Sequence, residues 1–311
     1  MPTFRDALPQ LGDDVFLTDS GLETELLFNQ GVDLPQFAAF PLLNDTEGRS
    51  RLRTYFADHA ALAAQADVGM VLEAPTWRAS ADWGALLDFD ETALDRVNRS
   101  AVDLLRDVRA EYGGTRAHPI SGCLGPRGDA YQPDELMTSI EAAGYHRAQI
   151  ETFADTEADL ITAMTLTYPT EAEGIAVATR AVGMPVVLSF TVETDGRLPD
   201  GTTLAEAVQA VDEATEAYPA YYMVNCAHPS HLDGVLDPDA AWTGRVRGIR
   251  ANASSRSHAE LDEATELDSG DPVAFGREYA ALRERLPGLT VLGGCCGTDL
   301  RHLQQVASAC L

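Results

Sequence analysis

The chain contains no lysine: all 22 of its basic side chains are arginine. That absence excludes Schiff-base aldolases, pyridoxal-phosphate enzymes and P-loop nucleotidases, each of which needs a lysine amine. Positive charge is scarce altogether, with 49 acidic residues and a formal net charge of -27. So anionic a surface repels phosphate backbones, which disfavours nucleic acids and anionic membranes as partners. No apolar run is long enough to span a bilayer, and no charged-then-apolar signal segment opens at Met1. Cysteine is sparse: five residues, an odd number with two adjacent, which is not the pattern of a secreted disulfide framework. The expectation is a reduced, cytoplasmic protein with small-molecule partners, its state of homo-oligomerisation left open. No Gly-x-Gly-x-x-Gly follows an early strand, so a dinucleotide anchor is also missing.

What is present centres on the few cysteines. The run Gly293-Gly294-Cys295-Cys296-Gly297-Thr298 lies near the C-terminus, and Val224-Asn225-Cys226 lies upstream. Adjacent cysteines bond each other only under strain. Both can reach one metal ion where glycines let the backbone turn sharply. A thiolate from Cys226 would complete a three-sulfur site with one open position, the mark of a catalytic rather than a structural zinc. The alternative is that these are small apolar cysteines packed in a core.

A composition of 45% hydrophobic and 23% charged residues provides a sizeable core. Short β-branched runs alternate with longer amphipathic stretches, the pattern of a parallel sheet. The expected strands are Val15–Thr18, Val68–Glu73, His118–Gly122, Leu160–Leu166, Val186–Thr191, Tyr221–Asn225, Val246–Ala251 and Thr290–Leu292. Expected helices are Arg51–Gln65, Glu91–Tyr112, Ser139–Thr156, Thr170–Val182, Leu204–Ala217, Pro272–Arg285 and Leu300–Ala309. Eight such strands make an α/β fold of the (β/α)8 TIM-barrel type, one domain over residues 1–311, with a doubly wound open sheet as runner-up. Most strands end in polar or glycine residues, and the C-terminal rim of a barrel is where active sites sit. The long irregular stretch from Ala253 to Asp271 reads as a lid or binding loop at that rim.

At this point the sequence resembles the zinc-dependent homocysteine S-methyltransferases, which include betaine- and S-methylmethionine-using enzymes. The resemblance rests on Leu17-Thr18-Asp19-Ser20-Gly21 with Thr24-Glu25-Leu26, on Gly122-Cys123-Leu124-Gly125-Pro126, on Val224-Asn225-Cys226 and on the final glycine-cysteine run. It implies a (β/α)8 barrel in which Cys226, Cys295 and Cys296 hold Zn2+ and the homocysteine sulfur takes the fourth position. It further implies methyl transfer from a sulfonium or quaternary ammonium donor to that thiol, giving methionine. The chemistry suits the residues, because a thiol must ionise to attack a methyl group and zinc binds the thiolate outright.

Two positions depart from the family pattern. Ser20 replaces a glycine, and Met164 stands where the family carries a glutamate that helps hold the homocysteine amino group. Glu73 or Glu193 then supplies the carboxylate from a neighbouring strand, or the acceptor is a different thiol. Asp19 reads as a substrate ligand or a helix N-cap. Thr165 and Asn225 join the expected substrate contacts. Trp77, Tyr131, Tyr168 and Phe190 offer aromatic faces for a methylated cation, or are simply core. Arg127 reads as a carboxylate ligand or a surface ion pair. His258, in the rim loop, is a candidate neighbour of the metal ligands. The rival activities are a zinc hydrolase or lyase on the same barrel and a non-catalytic zinc- or thiol-binding protein.

Overall fold

The computed structural model describes residues 1–114, 116–131, 133, 135–262 and 266–311. Its strands are β1 (Phe16–Leu17), β2 (Gly69–Met70), β3 (Leu72–Glu73), β4 (Ile120–Leu124), β5 (Leu160–Leu166), β6 (Val186–Phe190), β7 (Tyr221–Asn225), β8 (Val246–Ala251) and β9 (Val291–Gly294). They form one sheet in the order β2-β1-β9-β8-β7-β6-β5-β4-β3, every pair parallel. Its two ends, β2 and β3, are consecutive pieces of a single expected strand divided at Val71. Val71 donates its N–H to Leu17 on one side, and Leu72 donates to Pro119 on the other. The sheet therefore closes on itself as eight staves, which is the expected TIM barrel.

Long helices follow seven of the eight staves. Helix Glu91–Tyr112 starts where the Asp90 carboxylate caps Ala93 N–H, and Ser139–Ala154 and Leu204–Thr215 both open with capping boxes. Several element ends differ from the sequence reading, most by one or two residues, and two of the starts that moved have a clear local cause. The first long helix begins at Thr46, five residues before the expected Arg51, because Asp45 caps Gly48 N–H at 2.7 Å. Strand β4 starts at Ile120 rather than His118, because Pro119 has no N–H to give a ladder. Between β7 and β8 the connection carries only the short 3-10 turns Pro229–Leu232 and Ala241–Arg245. The rim stretch from Ala253 to Asp271 contains the short helix His258–Asp262, and its residues 263–265 lie outside the described residues.

Side chains alternate across a strand, so every second residue faces the barrel axis. Phe16, Val71, Leu160, Val187, Tyr221, Met223 and Val291 pack as one apolar cluster separate from the larger core outside the sheet. They fill the lower barrel. One inward step toward the C-terminal ends, these strands present Thr18, Glu73, Thr162, Ser189 and Asn225, and β8 adds Arg250, all buried. An apolar floor carrying a polar upper layer is what positions the site.

Candidate active site

The polar layer is wired together. Thr162 donates to Glu73 Oε1 at 3.0 Å and lies 2.7 Å from the Ser121 hydroxyl. Ser189 donates to Asn225 Oδ1 at 2.7 Å. Arg250 reaches over the neighbouring staves, giving Nε–H to the Gly294 carbonyl at the end of β9 and Nη2–H to the Ser20 carbonyl just after β1, both at 3.1 Å. Its Nη2 also sits 2.9 Å from Asp19 Oδ1. That contact lies off the hydrogen-bonding direction, so charge rather than a directed bond holds the pair. Burial opposes the charge on Arg250, but Asp19 and Glu73 outweigh it and raise its pKa.

Above this layer the three sequence-predicted cysteines converge. The Sγ atoms of Cys226, Cys295 and Cys296 all lie within 4.8 Å of one another, and Cys226 and Cys295 approach to 2.6 Å. Local backbone chemistry brings them together. Cys226 follows β7 in a left-handed conformation (φ 55°), which a non-glycine residue adopts only when its surroundings hold it there. Here its N–H donates to the Arg250 carbonyl at 3.1 Å, and its own carbonyl accepts from Asn252 Nδ2 at 3.0 Å and His258 Nε2 at 2.6 Å. Cys295 N–H donates to the Ala251 carbonyl at 2.7 Å. Gly21 is small of necessity, because a Cβ there would lie 2.5 Å from the Cys295 carbonyl oxygen. At Gly293 a Cβ would meet the Thr18 hydroxyl at 1.8 Å and the Arg250 stem at 3.1 Å. The glycines of both motifs thus let β1 and β9 close around the sulfur site.

At such spacing the sulfurs share protons. Hydrogen bonds from Cys226 and Cys296, with help from the Arg250 cation, hold the Cys295 thiol well below the usual range. The bond with Cys295 pushes Cys226 up, the bonds with Cys226 and Cys295 push Cys296 up, and burial adds to both. Asn225 Nδ2 lies 4.0 Å from Cys295 Sγ, and the Tyr131 hydroxyl lies 4.0 Å from Cys296 Sγ. Three soft thiolate donors at one point fit zinc, whereas hard cations prefer oxygen.

The cysteines open into a cavity of about 460 Å³ whose wall includes Asp19, Glu73, Trp77, Met164, Thr165 and Asn225. Six sequence-predicted residues beside the cysteines are therefore accounted for on or next to one wall, Met164 among them. Two others are elsewhere. Arg127 forms an exposed ion pair with Asp82 at 2.7 Å and stacks on Tyr145, so its surface-pair reading is the one the structure adopts. Glu193 is not on the cavity wall and instead contacts His258 Nδ1 at 3.0 Å. Of the aromatic residues, Trp77 and Tyr131 line the cavity, and Tyr131 stacks on His258 with centroids 4.0 Å apart. Phe190 is core against Tyr222, and Tyr168 accepts from Met137 N–H through its hydroxyl.

Sequence reasoning missed Arg250 and Arg78. Arg250 sits within a strand, where nothing but the inward register distinguishes it from a surface arginine. Arg78 lines the cavity and lies 3.8 Å above the Trp83 ring, a signal the tryptophan spacing alone does not carry.

A sequence profile described as homocysteine S-methyltransferase matches residues 16–310. The chain belongs to the homocysteine S-methyltransferase family. It is accordingly an enzyme of the methyltransferase class. The homocysteine S-methyltransferase of Escherichia coli (strain K12) is 25% identical over 303 residues, covering 92% of each chain. The homocysteine S-methyltransferase YbgG of Bacillus subtilis is 21% identical over 232 residues, 70% of this chain and 72% of that protein. The crystal structure of the Escherichia coli homocysteine methyltransferase MmuM in its metallated form superposes with a TM-score of 0.72 at 22% identity, covering 95% of this chain and 96% of that one. That likeness shows the shared fold. Among the described residues no helix is long and apolar enough to cross a membrane.

Proposed function

We propose that this enzyme moves a methyl group from a sulfonium or quaternary ammonium donor to the thiol of homocysteine, giving methionine. The observation that carries this reading is the convergence of Cys226, Cys295 and Cys296 within 4.8 Å at the mouth of a cavity in a chain of this family. Cys226, Cys295 and Cys296 would hold Zn2+, which when bound supplies a Lewis acid that keeps a substrate thiol ionised near neutral pH.

The remaining work falls to the protein's own groups. In the transfer, the bond from methyl carbon to the donor's sulfur or nitrogen breaks and its electron pair stays with that atom. The acceptor sulfur supplies the pair for the new bond. An anion and a cation become two neutral groups, so a cavity that excludes water favours the step. Trp77 and Tyr131 offer π-faces to the onium methyl groups. Asn225, locked by its bonds to Thr165 and Ser189, turns an N–H toward the sulfur site. Thr165 presents its hydroxyl beside it.

The test is a matrix of onium donors and thiols with the zinc-loaded protein, read by mass spectrometry. Methylated thiol is expected only where both partners are present. Release of an acid without any thiol would favour a hydrolase or lyase instead.

A further inference from the structure

Of the carboxylates on the cavity wall, Asp19 and Glu73 stand at the ends of barrel strands, and the structure treats them differently. Asp19 is 3% exposed, with Oδ2 accepting the Tyr55 hydroxyl at 3.2 Å and Oδ1 facing Arg250 at 2.9 Å. Its charge is already met by a cation. Glu73 is 4% exposed; its Oε1 accepts the Thr162 hydroxyl, and the Ser121 hydroxyl and the more distant Arg250 charge also act on the carboxylate. Glu73 Oε2 is buried without a hydrogen-bond partner on the wall of the cavity that holds the cysteines. A buried carboxylate oxygen left bare costs free energy until a donor reaches it. Met164, on the same wall, offers a thioether and no charge.

We propose that Glu73 receives the ammonium group of the acceptor thiol, and that Arg250 imposes this choice by keeping Asp19 as its own ion-pair partner. The proposal rests on the methyl transfer argued above and narrows its acceptor to amino thiols. Glu73 reaches the substrate directly; Arg250 acts through Asp19 and is a positioning residue. The same guanidinium also ties the Gly294 and Ser20 carbonyls, so it fixes where Asp19 can stand relative to β9.

The test compares homocysteine with its desamino analogue 4-mercaptobutyrate on the zinc-loaded protein, using one donor throughout. In Glu73→Gln the homocysteine KM should rise about 10- to 100-fold, the worth of a hydrogen bond to a charged group, with kcat changed far less. The 4-mercaptobutyrate KM should move little, because that thiol has no ammonium to lose. Asp19→Asn should weaken both thiols alike and leave their ratio in place. In Glu73→Gln/Arg250→Met, Asp19 is freed, and part of the lost homocysteine preference should return. Should the double variant fail to fold, Arg250→Gln with Glu73→Gln keeps a hydrogen-bonding side chain for the neighbouring carbonyls but no cation, and the same partial return is expected there. Equal KM increases for both thiols in Glu73→Gln would overturn the role of Glu73. A selectivity lost in Asp19→Asn, or no return in either double variant, would overturn that of Arg250. Calorimetric titration of homocysteine without donor separates the two levels of the argument. No methylated thiol from the wild type sinks the methyl-transfer reading, whereas unchanged homocysteine affinity in Glu73→Gln sinks this one.

Discussion

Asn225 and Thr165 hold each other by two hydrogen bonds of 2.8 Å: the asparagine Oδ1 accepts the Thr165 backbone N–H, and its Nδ2 donates to the Thr165 hydroxyl. Thr165 is itself in a left-handed conformation (φ 61°), at the point where the β5–β6 register shifts. The pair therefore anchors an irregular piece of β5 to the strand that ends in Cys226. Asn225→Ala would leave a buried N–H and two hydroxyls without partners, at a cost of roughly 2–4 kcal/mol. A thermal melt should show a clear fall in Tm, together with slower methyl transfer because Thr165 and the Cys226 strand lose their tie. A variant as stable as the wild type would show that the bend in β5 is held by something else.

The sulfur site makes a prediction about metal. Protein purified under reducing conditions should carry about one zinc per chain, since three thiolates converge at one rim. Replacing Cys295 or Cys296 by alanine should strip most of that metal while far-ultraviolet circular dichroism stays unchanged, because both residues lie above the packed core. Full zinc content in both variants would show that the ion binds elsewhere.

The barrel and its sulfur site were legible because their signals are local. The βα alternation marks the staves, polar strand ends mark the rim, and glycines flanking a cysteine pair mark a backbone that must bend. The split of the second strand at Val71 was not legible, since it reflects only which neighbour each N–H finds once the barrel has closed. Arg250 was hidden for a related reason. A sequence shows that a strand contains an arginine, but whether it points inward depends on register, and register is set by pairing across the sheet. Glu193 is the opposite case: it follows a strand as a rim residue should, yet it lies off the cavity wall, where His258 from another loop contacts its carboxylate.

Glu73 also predicts how stability depends on pH. Burial raises its pKa from 4.5 to about 7, so the folded state holds a proton that the unfolded state has already released. Stability from this group is full below pH 4.5 and is lost as pH rises through 7, the reverse of a salt-bridged carboxylate. Glu73→Gln removes the penalty. With no substrate present it should stabilise the protein at pH 8 by up to about 3 kcal/mol and by much less at pH 5. Denaturant melts at the two pH values measure the difference, and an equal gain at both would mean that the charge on Glu73 is not what costs stability.

Met164→Glu tests the acceptor pocket from the other side. Met164 is 5% exposed on the cavity wall, in β5 beside Thr165, and its thioether brings no charge to the substrate. A glutamate there is close to Met in length, so the backbone need not move, but it adds a further buried carboxylate to a wall that already holds Asp19 and Glu73, and Arg250 already faces Asp19. Desolvation should raise the new group's pKa, and the substrate-free variant should lose stability increasingly as pH rises toward 8. Bound homocysteine offsets that cost, because its ammonium gives the carboxylate a partner. The variant should thus show a larger rise in Tm on adding homocysteine than the wild type does, and a lower homocysteine KM, while 4-mercaptobutyrate binds more weakly. Combined with Glu73→Gln, Met164→Glu should restore much of the lost preference, since either carboxylate then serves the same ammonium. If Met164→Glu weakens both thiols equally and rescues nothing, the amino group does not lie between β3 and β5, and the acceptor sits in the cavity the other way round.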